Sequence, residues 1–477
     1  MTGADFLITL PEFPDKKVSI KDFGAVENQT DIAGSKRNAA AINSAMSVIS
    51  NEGGGTVVIP KGIWITGPIR LQSNVCLYLE HGAVVKFSKN IEEYPLILTN
   101  YEGQECIRTV SPVTADHAEN IAICGDGVID GSGDLWRPVK QFKMTERQWA
   151  ELMKKNSNVL DTKEGGIWFP TESAFLGNEK NIQKDEADAL KKAEQHYDFY
   201  RPVMVSLEYC DRVLLEGVTF MNSPAWNIHP FFCTNLTVKD AVIRNPYYAQ
   251  NGDGIDVESC NGVEIYNCTF ETGDDAICIK SGKNAEARTF EGPCENVYIH
   301  DCLVNEGHGG FVVGSEMSRG VKHVLVENCT FLGTDVGVRF KSAMGRGGIV
   351  EDIEISHIQM TGIKHEAVIL TMSYVLNLLN REQGAEGFSE DDIPYFKNIT
   401  MHNINCMGAE TAVKIEPMQG KPRIRTRWNQ GSYRCVHHHS LTQPRLLLRL
   451  LLRPQRRALR QLLLRLIVFR YRHLLLC

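Results

Sequence analysis

The sequence lacks several features that mark common classes of protein. No apolar stretch reaches the roughly 20 residues that a membrane-spanning helix needs, so we expect no membrane span. The first residues show no basic segment followed by a long apolar run, and this absence of a signal peptide predicts a cytoplasmic protein, with secretion left open. No CxxC pair or His/Cys cluster of metal-binding spacing occurs. We therefore expect neither a metal nor a cofactor.

Acidic residues are missing from one end of the chain. Residues 421–477 contain 14 Lys and Arg, no Asp or Glu, and a Leu- and Arg-rich sequence of few residue types. A basic amphipathic helix on a membrane surface is one interpretation, but Pro454 interrupts it and apolar residues nearly encircle the axis. We favour another, in which residues 421–477 are an aberrant or frameshifted tail and not a domain. The rest of the chain carries 37 Lys and Arg against 58 Asp and Glu. That excess of acid predicts no nucleic-acid partner.

Short segments of one pattern recur through the middle of the chain. They alternate apolar residues, are rich in β-branched side chains and close on Ser, as in GIDVES (254–259), AICIKS (276–281), GFVVGS (310–315) and GVRFKS (337–342). Such alternation predicts strands and not helices. A repeated unit of roughly 22–34 residues cannot bury its own apolar face and must stack on copies of itself. The sequence therefore predicts an all-β fold, a parallel β-helix.

The predicted β-helix is a single domain over residues 18–420. A helix over residues 39–54, which ends in three glycines, is predicted to cap its N-terminal end. Residues 132–200 interrupt the repeats and are predicted to be an insertion on one face, with a helix over 184–200. Cys268, Cys302 and Cys329 recur at one position of the repeat, which favours a column of buried thiols over disulfides.

Aligning the repeated segments on their closing Ser brings acidic residues together. Asp253 then lies over Asp275, and Asp274 lies next to His308, with stacked positions about 4.8 Å apart. Splitting an acetal requires one protonated and one ionised carboxyl group. Crowding three acids raises the pKa of at least one, because like charges cannot all ionise cheaply. This wall of the β-helix is therefore the predicted catalytic site.

Positive charge is predicted at the same wall. Arg339 and Lys341 lie two coils beyond the acids and could bind an anionic substrate, since a guanidinium fork suits a carboxylate. Tyr374 could flank a sugar subsite. Lys280, Arg319 and Arg346 could extend this cationic patch, but ordinary surface charge is the favoured interpretation. Trp226 is interpreted as a packing residue.

Four motifs in order resemble glycoside hydrolase family 28, the polygalacturonases of the pectin-lyase-like superfamily. They are Asn251-Gly252-Asp253, Gly273-Asp274-Asp275, Gly307-His308-Gly309 and Arg339-Phe340-Lys341. The resemblance covers roughly residues 18–420 and departs from the motifs only at Gly252, where the family has Thr. It implies a single-stranded right-handed parallel β-helix.

The resemblance also implies a role for each motif. Asp274 would be the general acid that protonates the glycosidic oxygen. Asp253 and Asp275 would hold and deprotonate the attacking water, giving inversion, and His308 would support the protonation state of the acid. The Arg-x-Lys motif would bind galacturonate carboxylates. Spacing alone leaves the stereochemistry open.

The leading hypothesis is hydrolysis of α-1,4-galacturonosidic bonds in polygalacturonate or oligogalacturonides. We expect exo cleavage, because the 132–200 insertion could close one end of the cleft. The alternatives are a calcium-dependent pectate lyase or a rhamnogalacturonan hydrolase on the same fold, and a non-catalytic carbohydrate-binding solenoid. The exact pectic substrate and the oligomeric state stay open.

Overall fold

The computed structural model describes residues 1–180, 182–289, 292–374, 388–418, 423–428 and 433–436. These residues belong to one unit, Met1–His437. Within them no helix combines the length and the apolar content needed to cross a bilayer. Most of the predicted tail, including all of it beyond residue 436, lies outside the described residues.

Successive coils each place strands in three parallel ladders. The first ladder consists of Lys17–Ser19, Gly55–Ile59, Val75–Leu79, Glu119–Gly125, Asp211–Glu216, Thr234–Lys239, Asn261–Tyr266, Cys294–His300, Val321–Glu327, Ile349–Thr361, Tyr395–Met407 and Ile424–Trp428. The second consists of Gly62–Thr66, Ala83–Phe87, Val128–Asp130, Thr219–Met221, Val242–Arg244, Thr269–Glu271, Leu303–Asn305, Thr330–Leu332, the later halves of the two 13-residue strands, and Tyr433–Val436. The third consists of Ile69–Arg70, Val113–Asp116, Val205–Glu208, Ile228–Phe231, Ile255–Glu258, Ile277–Lys280, Gly309–Gly314, Val336–Lys341, Glu366–Thr371 and Thr411–Glu416.

This arrangement confirms the predicted all-β parallel β-helix. Inward side chains of all three ladders form one continuous apolar core, to which Phe220, Phe270 and Phe331 contribute at equivalent positions of alternate coils. Burying such a core is the main favourable contribution to folding. The sheet also continues past residue 420, where the sequence analysis ended the domain, because two strands beyond it pair with Tyr395–Met407.

Each coil turns from the first ladder to the second at one residue with positive φ. Successive coils use Gly217, Asp240, Asn267, Asp301 and Asn328, with φ between 51° and 78°. Glycine has no Cβ to clash in this left-handed region, and Asn and Asp tolerate it better than other residues. Gly, Asn and Asp therefore close the turns of these five coils, and His357, with φ 54°, takes the same corner in the next coil.

The N-terminal helix extends over Ile32–Asn51, starting earlier than predicted. The Asp31 side chain caps it by accepting a hydrogen bond from the backbone nitrogen of Gly34 at 2.7 Å. Its buried face, which includes Ile42, Met46 and Ile49, joins the core of the first coils. The predicted cap on the N-terminal end of the solenoid is thus present.

The 132–200 insertion contains the helices Glu146–Lys155, Glu172–Lys180 and Ala189–Ala193 and a small antiparallel sheet of Val139–Lys140, Val159–Thr162 and Gly165–Trp168. The helix predicted over 184–200 is shorter, because Ala189–Ala193 passes into the 3₁₀ segment Glu194–Phe199. Elsewhere Leu96–Tyr101 and Gln104–Thr109 form an antiparallel hairpin, here called the rim hairpin, and Asn284–Arg288 is a short helix. Other 3₁₀ turns are Gly3–Asp5, Ile20–Phe23, Ile91–Glu93, Gly133–Leu135, Gln141–Lys143 and Glu390–Asp392.

The recurring cysteines are free and buried. Cys268, Cys302 and Cys329 each carry an unpaired thiol at the same corner of successive coils. The prediction of a thiol column in place of disulfides is therefore confirmed.

Candidate active site

Three carboxyl groups meet at the start of two adjacent strands of the third ladder. Ile255 pairs with Ile277, which sets Asp253 beside Asp275, and Asp274 precedes Asp275 directly. One carboxylate oxygen of each residue lies within 4.8 Å of the others. Asp253 is 4% exposed and Asp275 is 1% exposed, whereas Asp274 is half-buried. The structure thus brings together the three acids that the repeat register predicted.

His308 occupies the next position in this column. Its backbone nitrogen donates to the carbonyl oxygen of Asp274 at 2.9 Å, and its Nδ1 lies 2.9 Å from Oδ2 of Asp335. Burial would raise the pKa of Asp335, but hydrogen bonds from His308 and Lys364 outweigh it and lower that pKa to about 2. An ionised Asp335 therefore holds the imidazole ring in place beside Asp274.

Glycines make room around these side chains. A Cβ at Gly309 would lie 3.0 Å from Oδ1 of Asp275, so a larger residue there would crowd the carboxylate. A Cβ at Gly252 would lie 2.6 Å from the Cβ of Ala249. The local backbone packing therefore explains the glycine at 252, the one departure from the family motif.

Two cations and an aromatic ring approach Asp275 from later coils. The Nζ of Lys341 donates to Oδ2 of Asp275 at 2.6 Å, and Lys341 is itself buried. The guanidinium of Arg339 lies 5.2 Å from the ring of Tyr374, and the ammonium of Lys341 lies 4.9 Å from it. Within the described residues, Nε and Nη1 of Arg339 are buried without a hydrogen-bond acceptor. Such donors favour an anionic ligand.

The pKa values of the two buried acids move in opposite directions. Burial raises the pKa of Asp253 well above its usual range, and the nearby carboxylates Asp256, Asp274 and Asp275 raise it further. Burial acts the same way on Asp275, but the cation of Lys341, with further help from its other positive neighbours, outweighs burial and lowers its pKa. The two environments thus push the pKa values of these neighbouring carboxyls apart, as acid–base chemistry requires.

A cavity of about 840 Å³ opens over these residues. Its lining includes the three acids, Lys341 and Tyr374. It also includes Trp226, Lys280 and Arg346, which sequence analysis did not assign to the site, and Glu316, which it did not single out. Lys280 is 3% exposed and Arg346 is 7% exposed, so their interpretation as surface charge is wrong. Glu316 accepts a hydrogen bond from Lys280 at 3.0 Å and lies 3.5 Å from Arg346. These charges belong to the site because loops cover the strand ends where they sit.

The floor of the site also holds a buried polar network. Nε2 of His229 lies 3.0 Å from Oε2 of Glu258, and Nζ of Lys280 lies 3.6 Å from Oδ1 of Asp256. Burial raises the pKa of Asp256 to about 7, against the opposing effect of the Lys280 cation. The ammonium of Lys280 also lies 4.9 Å from the ring of Trp226. Trp226 therefore packs as predicted and lines the cavity as well.

The rim of the cavity is built by loops outside the 132–200 insertion. Glu102, at the tip of the rim hairpin, forms an ion pair with Lys283 at 3.7 Å, and the backbone nitrogen of Lys283 donates to the Gly103 carbonyl at 3.2 Å. Among the described residues, none of those lining the cavity belongs to the insertion, contrary to the expected wall. The insertion instead supports the hairpin, because Lys184 binds Glu105 at 3.3 Å and Glu286 at 3.1 Å.

This arrangement suits acid–base cleavage of an acetal in an anionic sugar chain. Two carboxyls whose pKa values are shifted in opposite directions are adjacent, a third lies within 4.8 Å, and cations line the same cavity. Carboxylate oxygens are also ligands that Ca²⁺ prefers. However, the ammonium of Lys341 already pairs with Asp275 at 2.6 Å, so one of the three carboxylates is occupied by the protein's own cation.

Comparisons with known proteins agree with this chemistry. The family model described as glycosyl hydrolases family 28 matches residues 186–434. A "Probable polygalacturonase" of Vitis vinifera is 28% identical over 414 residues, which is 85% of this chain and 71% of that protein. An "Exo-poly-alpha-D-galacturonosidase" of Dickeya chrysanthemi is 27% identical over 84% of this chain and 64% of its own length. The crystal structure of a hyperthermoactive exopolygalacturonase from Thermotoga maritima superposes with a TM-score of 0.70 at 30% identity, covering 89% of this chain and 88% of that one. The family match spans more than half of the chain and includes every predicted catalytic residue, and the chain therefore belongs to glycosyl hydrolases family 28.

Proposed function

We propose that this glycoside hydrolase cuts the α-1,4-galacturonosidic bonds of polygalacturonate and oligogalacturonides, removing sugars from the chain end. The observation that carries the proposal is the group of three carboxyls within 4.8 Å of one another, with a buried lysine on one of them, beneath a cation-lined cavity. The curated relative and the solved structure named above, both described as exo-acting on galacturonan, support the same reaction.

The carboxyl groups divide the acid and base roles. Asp275 is held ionised by Lys341 and deprotonates the attacking water, with Asp253 helping to hold that water. Asp274 is the least buried of the three and protonates the glycosidic oxygen. The negative charge of Asp274 helps to raise the pKa of Asp253, so the ionisation of one carboxyl depends on that of the other. His308 lies against Asp274 and supports its protonated form.

The cations account for selection of galacturonate. Each sugar of the polymer carries a carboxylate, and a net acidic protein must present local positive charge to bind it. Arg339 presents two donors without acceptors among the described residues, and Lys341 lies beside it over the ring of Tyr374. An arginine fork matches a carboxylate in two parallel hydrogen bonds. We assign Arg339, Lys341 and Tyr374 to substrate binding.

The rim supports attack at the chain end. The ion pair of Glu102 with Lys283 links the rim hairpin to the loop after the strand Ile277–Lys280. The neighbouring loops are tied in turn, since Arg288 binds Asp392 at 2.5 Å. A long chain cannot pass through a rim joined in this way, whereas the end of a chain can enter the cavity.

The test is release of reducing ends from polygalacturonate by the wild type and by Asp274→Asn and Asp275→Asn variants, with and without EDTA. We expect a loss of at least a hundredfold in both variants and wild-type activity that survives EDTA without formation of an unsaturated product. Asp240→Asn is the matched control, because Asp240 sits at a corner of the coil with φ 54°, which Asn also tolerates. Equal activity in all four proteins, or dependence on Ca²⁺, would contradict the proposal.

A further inference from the structure

Two lysines flank one tyrosine immediately outside the cavity, and we call Lys143, Tyr247 and Lys364 the lysine–tyrosine cluster. The ammonium of Lys143 lies 5.2 Å from the ring of Tyr247, and that of Lys364 lies 4.6 Å from it. Nζ of Lys364 also donates to the hydroxyl of Tyr247 at 3.3 Å. Tyr247 is 37% exposed, and the Lys364 side chain is 42% exposed. The cluster therefore presents an aromatic surface between two positive charges.

The cluster is built directly onto the carboxyl groups of the site. Lys143, which the insertion contributes, donates to the carbonyl oxygen of Gly273 at 2.6 Å, one residue before Asp274. Lys364 donates to Oδ1 of Asp335 at 2.8 Å, and the other oxygen of Asp335 holds His308. A ligand that extends from Asp274 past His308 and Asp335 would therefore meet these two lysines.

Lys143 is held near the surface without a carboxylate of its own. Its ammonium bonds to two backbone carbonyls, those of Gly273 at 2.6 Å and Tyr247 at 3.4 Å. In the part of the chain that the structure describes, no carboxylate lies within ion-pair distance of it. Burial lowers the pKa of Lys143, so keeping it charged there costs free energy. A carboxylate from a ligand would offset that cost.

The position of the cluster relative to the cavity indicates which part of the substrate would supply this carboxylate. The end of a galacturonate chain occupies the cavity, and the bond to be broken lies over Asp274. The sugars beyond the first one of the leaving portion then extend past His308, outside the residues that line the cavity. Each of these sugars carries a carboxylate, which a lysine can bind. The aromatic ring of Tyr247 offers an apolar face on which a sugar ring can lie.

We propose that the lysine–tyrosine cluster binds the leaving portion of a galacturonate chain beyond its first sugar, with a lysine for a carboxylate on each side of Tyr247. This inference rests on the proposed function and adds a second binding site to it. It gives the 132–200 insertion a part in substrate binding through Lys143, although the insertion does not line the cavity.

The test compares substrates of different length. We would measure kcat/KM for hexagalacturonate and for the shortest chain that the wild type cleaves, with the wild type and with Lys143→Gln, Lys364→Gln and the double variant. That short chain is digalacturonate if monomer is released, and trigalacturonate takes its place if dimer is released. We expect the ratio of hexamer to short chain to fall about tenfold for each lysine, mainly through KM, the size typical of one hydrogen bond to a charged group. Added salt should lower the wild-type ratio and leave the double variant unaffected. Lys154→Gln is the matched control on the same insertion, since Lys154 pairs with Glu151 within its own helix at 2.7 Å.

Three results would count against the inference. If the Gln variants lower kcat/KM equally for the short chain and the hexamer, the cluster only supports the catalytic residues and the second binding site is wrong. If Lys154→Gln lowers the ratio as much as Lys143→Gln, the effect is general surface charge and not this cluster. If the wild type cleaves none of these chains, the proposed function itself fails, which is distinguishable because no ratio can then be measured.

Discussion

The pairing of Lys341 with Asp275 gives the sharpest prediction, through the substitution Lys341→Met. Nζ of Lys341 lies 2.6 Å from Oδ2 of Asp275, and the two side chains are 7% and 1% exposed. Methionine keeps most of the side-chain volume and removes the charge. The variant therefore leaves a carboxylate buried without its nearest cation.

The magnitude follows from the burial of the pair. Removing one partner of a buried ion pair costs about 3–5 kcal/mol. Arg339 and His308 still act on Asp275, so we expect a value near the lower end, about 3 kcal/mol. One pKa unit corresponds to about 1.4 kcal/mol, so the pKa of Asp275 should rise by about two units. Because the folded-state pKa of Asp275 lies below its unfolded value, this contribution to stability is full above the ordinary Asp pKa and is lost as pH falls through the folded pKa.

The assay is the pH profile of kcat/KM on polygalacturonate, with Tm measured at pH 7 and pH 4. The acid limb, where the base must lose its proton, should move to higher pH by about two units in Lys341→Met. It should stay in place in Lys341→Arg, which keeps the charge. Tm should fall in Lys341→Met by nearly the same amount at pH 7 and at pH 4, because both values lie above the ordinary Asp pKa and Asp275 is ionised at each. Lys322→Met is the control, because its exposed pair with Glu295 at 2.9 Å should contribute about 0–1 kcal/mol. An acid limb that moves by less than about 0.3 units in Lys341→Met, a small fraction of the two units expected, would refute this reasoning.

Three further predictions follow from the same site. Asp256→Asn should flatten the loss of Tm between about pH 4 and pH 7. The pKa of this buried carboxyl is raised to about 7, so its contribution to stability is full below the ordinary Asp pKa, and up to about 4 kcal/mol of it is lost as pH rises from there through the folded pKa; parallel slopes for wild type and variant would contradict this. Asp335→Asn should lower kcat about 10- to 100-fold with a smaller change in KM, because it removes the charged partner that lies 2.9 Å from Nδ1 of His308. An unchanged kcat would show that the His308 imidazole does not need the Asp335 carboxylate to act in catalysis. Proton NMR of the first product should show the β-anomer, because inversion changes the α configuration of the cleaved bond. The carboxylate oxygens, within 4.8 Å of one another, are closer than is usual for inverting enzymes, so this experiment decides the stereochemistry. The α-anomer as first product would mean retention.

The register of the repeats made the acid cluster predictable. A strand repeat of constant shape fixes which positions stack, so the closing Ser residues alone placed Asp253 over Asp275 and His308 after Asp274. Asp335 could have been found by the same rule, since Gly309 pairs with Val336 and this sets Asp335 beside His308. It was missed because it belongs to no recognised motif.

The rest of the cavity depends on contacts that no repeat encodes. Lys280 and Arg346 look like solvent-facing charge in the sequence, and only the folding of loops over the strand ends makes them buried. The sequence also did not predict which segments form the rim of the cavity. Glu102 of the rim hairpin meets Lys283, a contact across 181 positions of chain that follows from stacking of coils and not from local pattern. Long insertions suggest a wall, but local sequence does not say where they dock.

Chromatography of the products formed in the first few per cent of polygalacturonate digestion tests the central claim most directly. A site that combines paired carboxyls, cations and a joined rim predicts mono- or digalacturonate as the first product, with the remaining polymer shortened slowly. A ladder of intermediate oligomers at that stage would mean that the rim does not exclude the middle of a chain. No release of galacturonate at all would contradict the assignment of these carboxyls to hydrolysis.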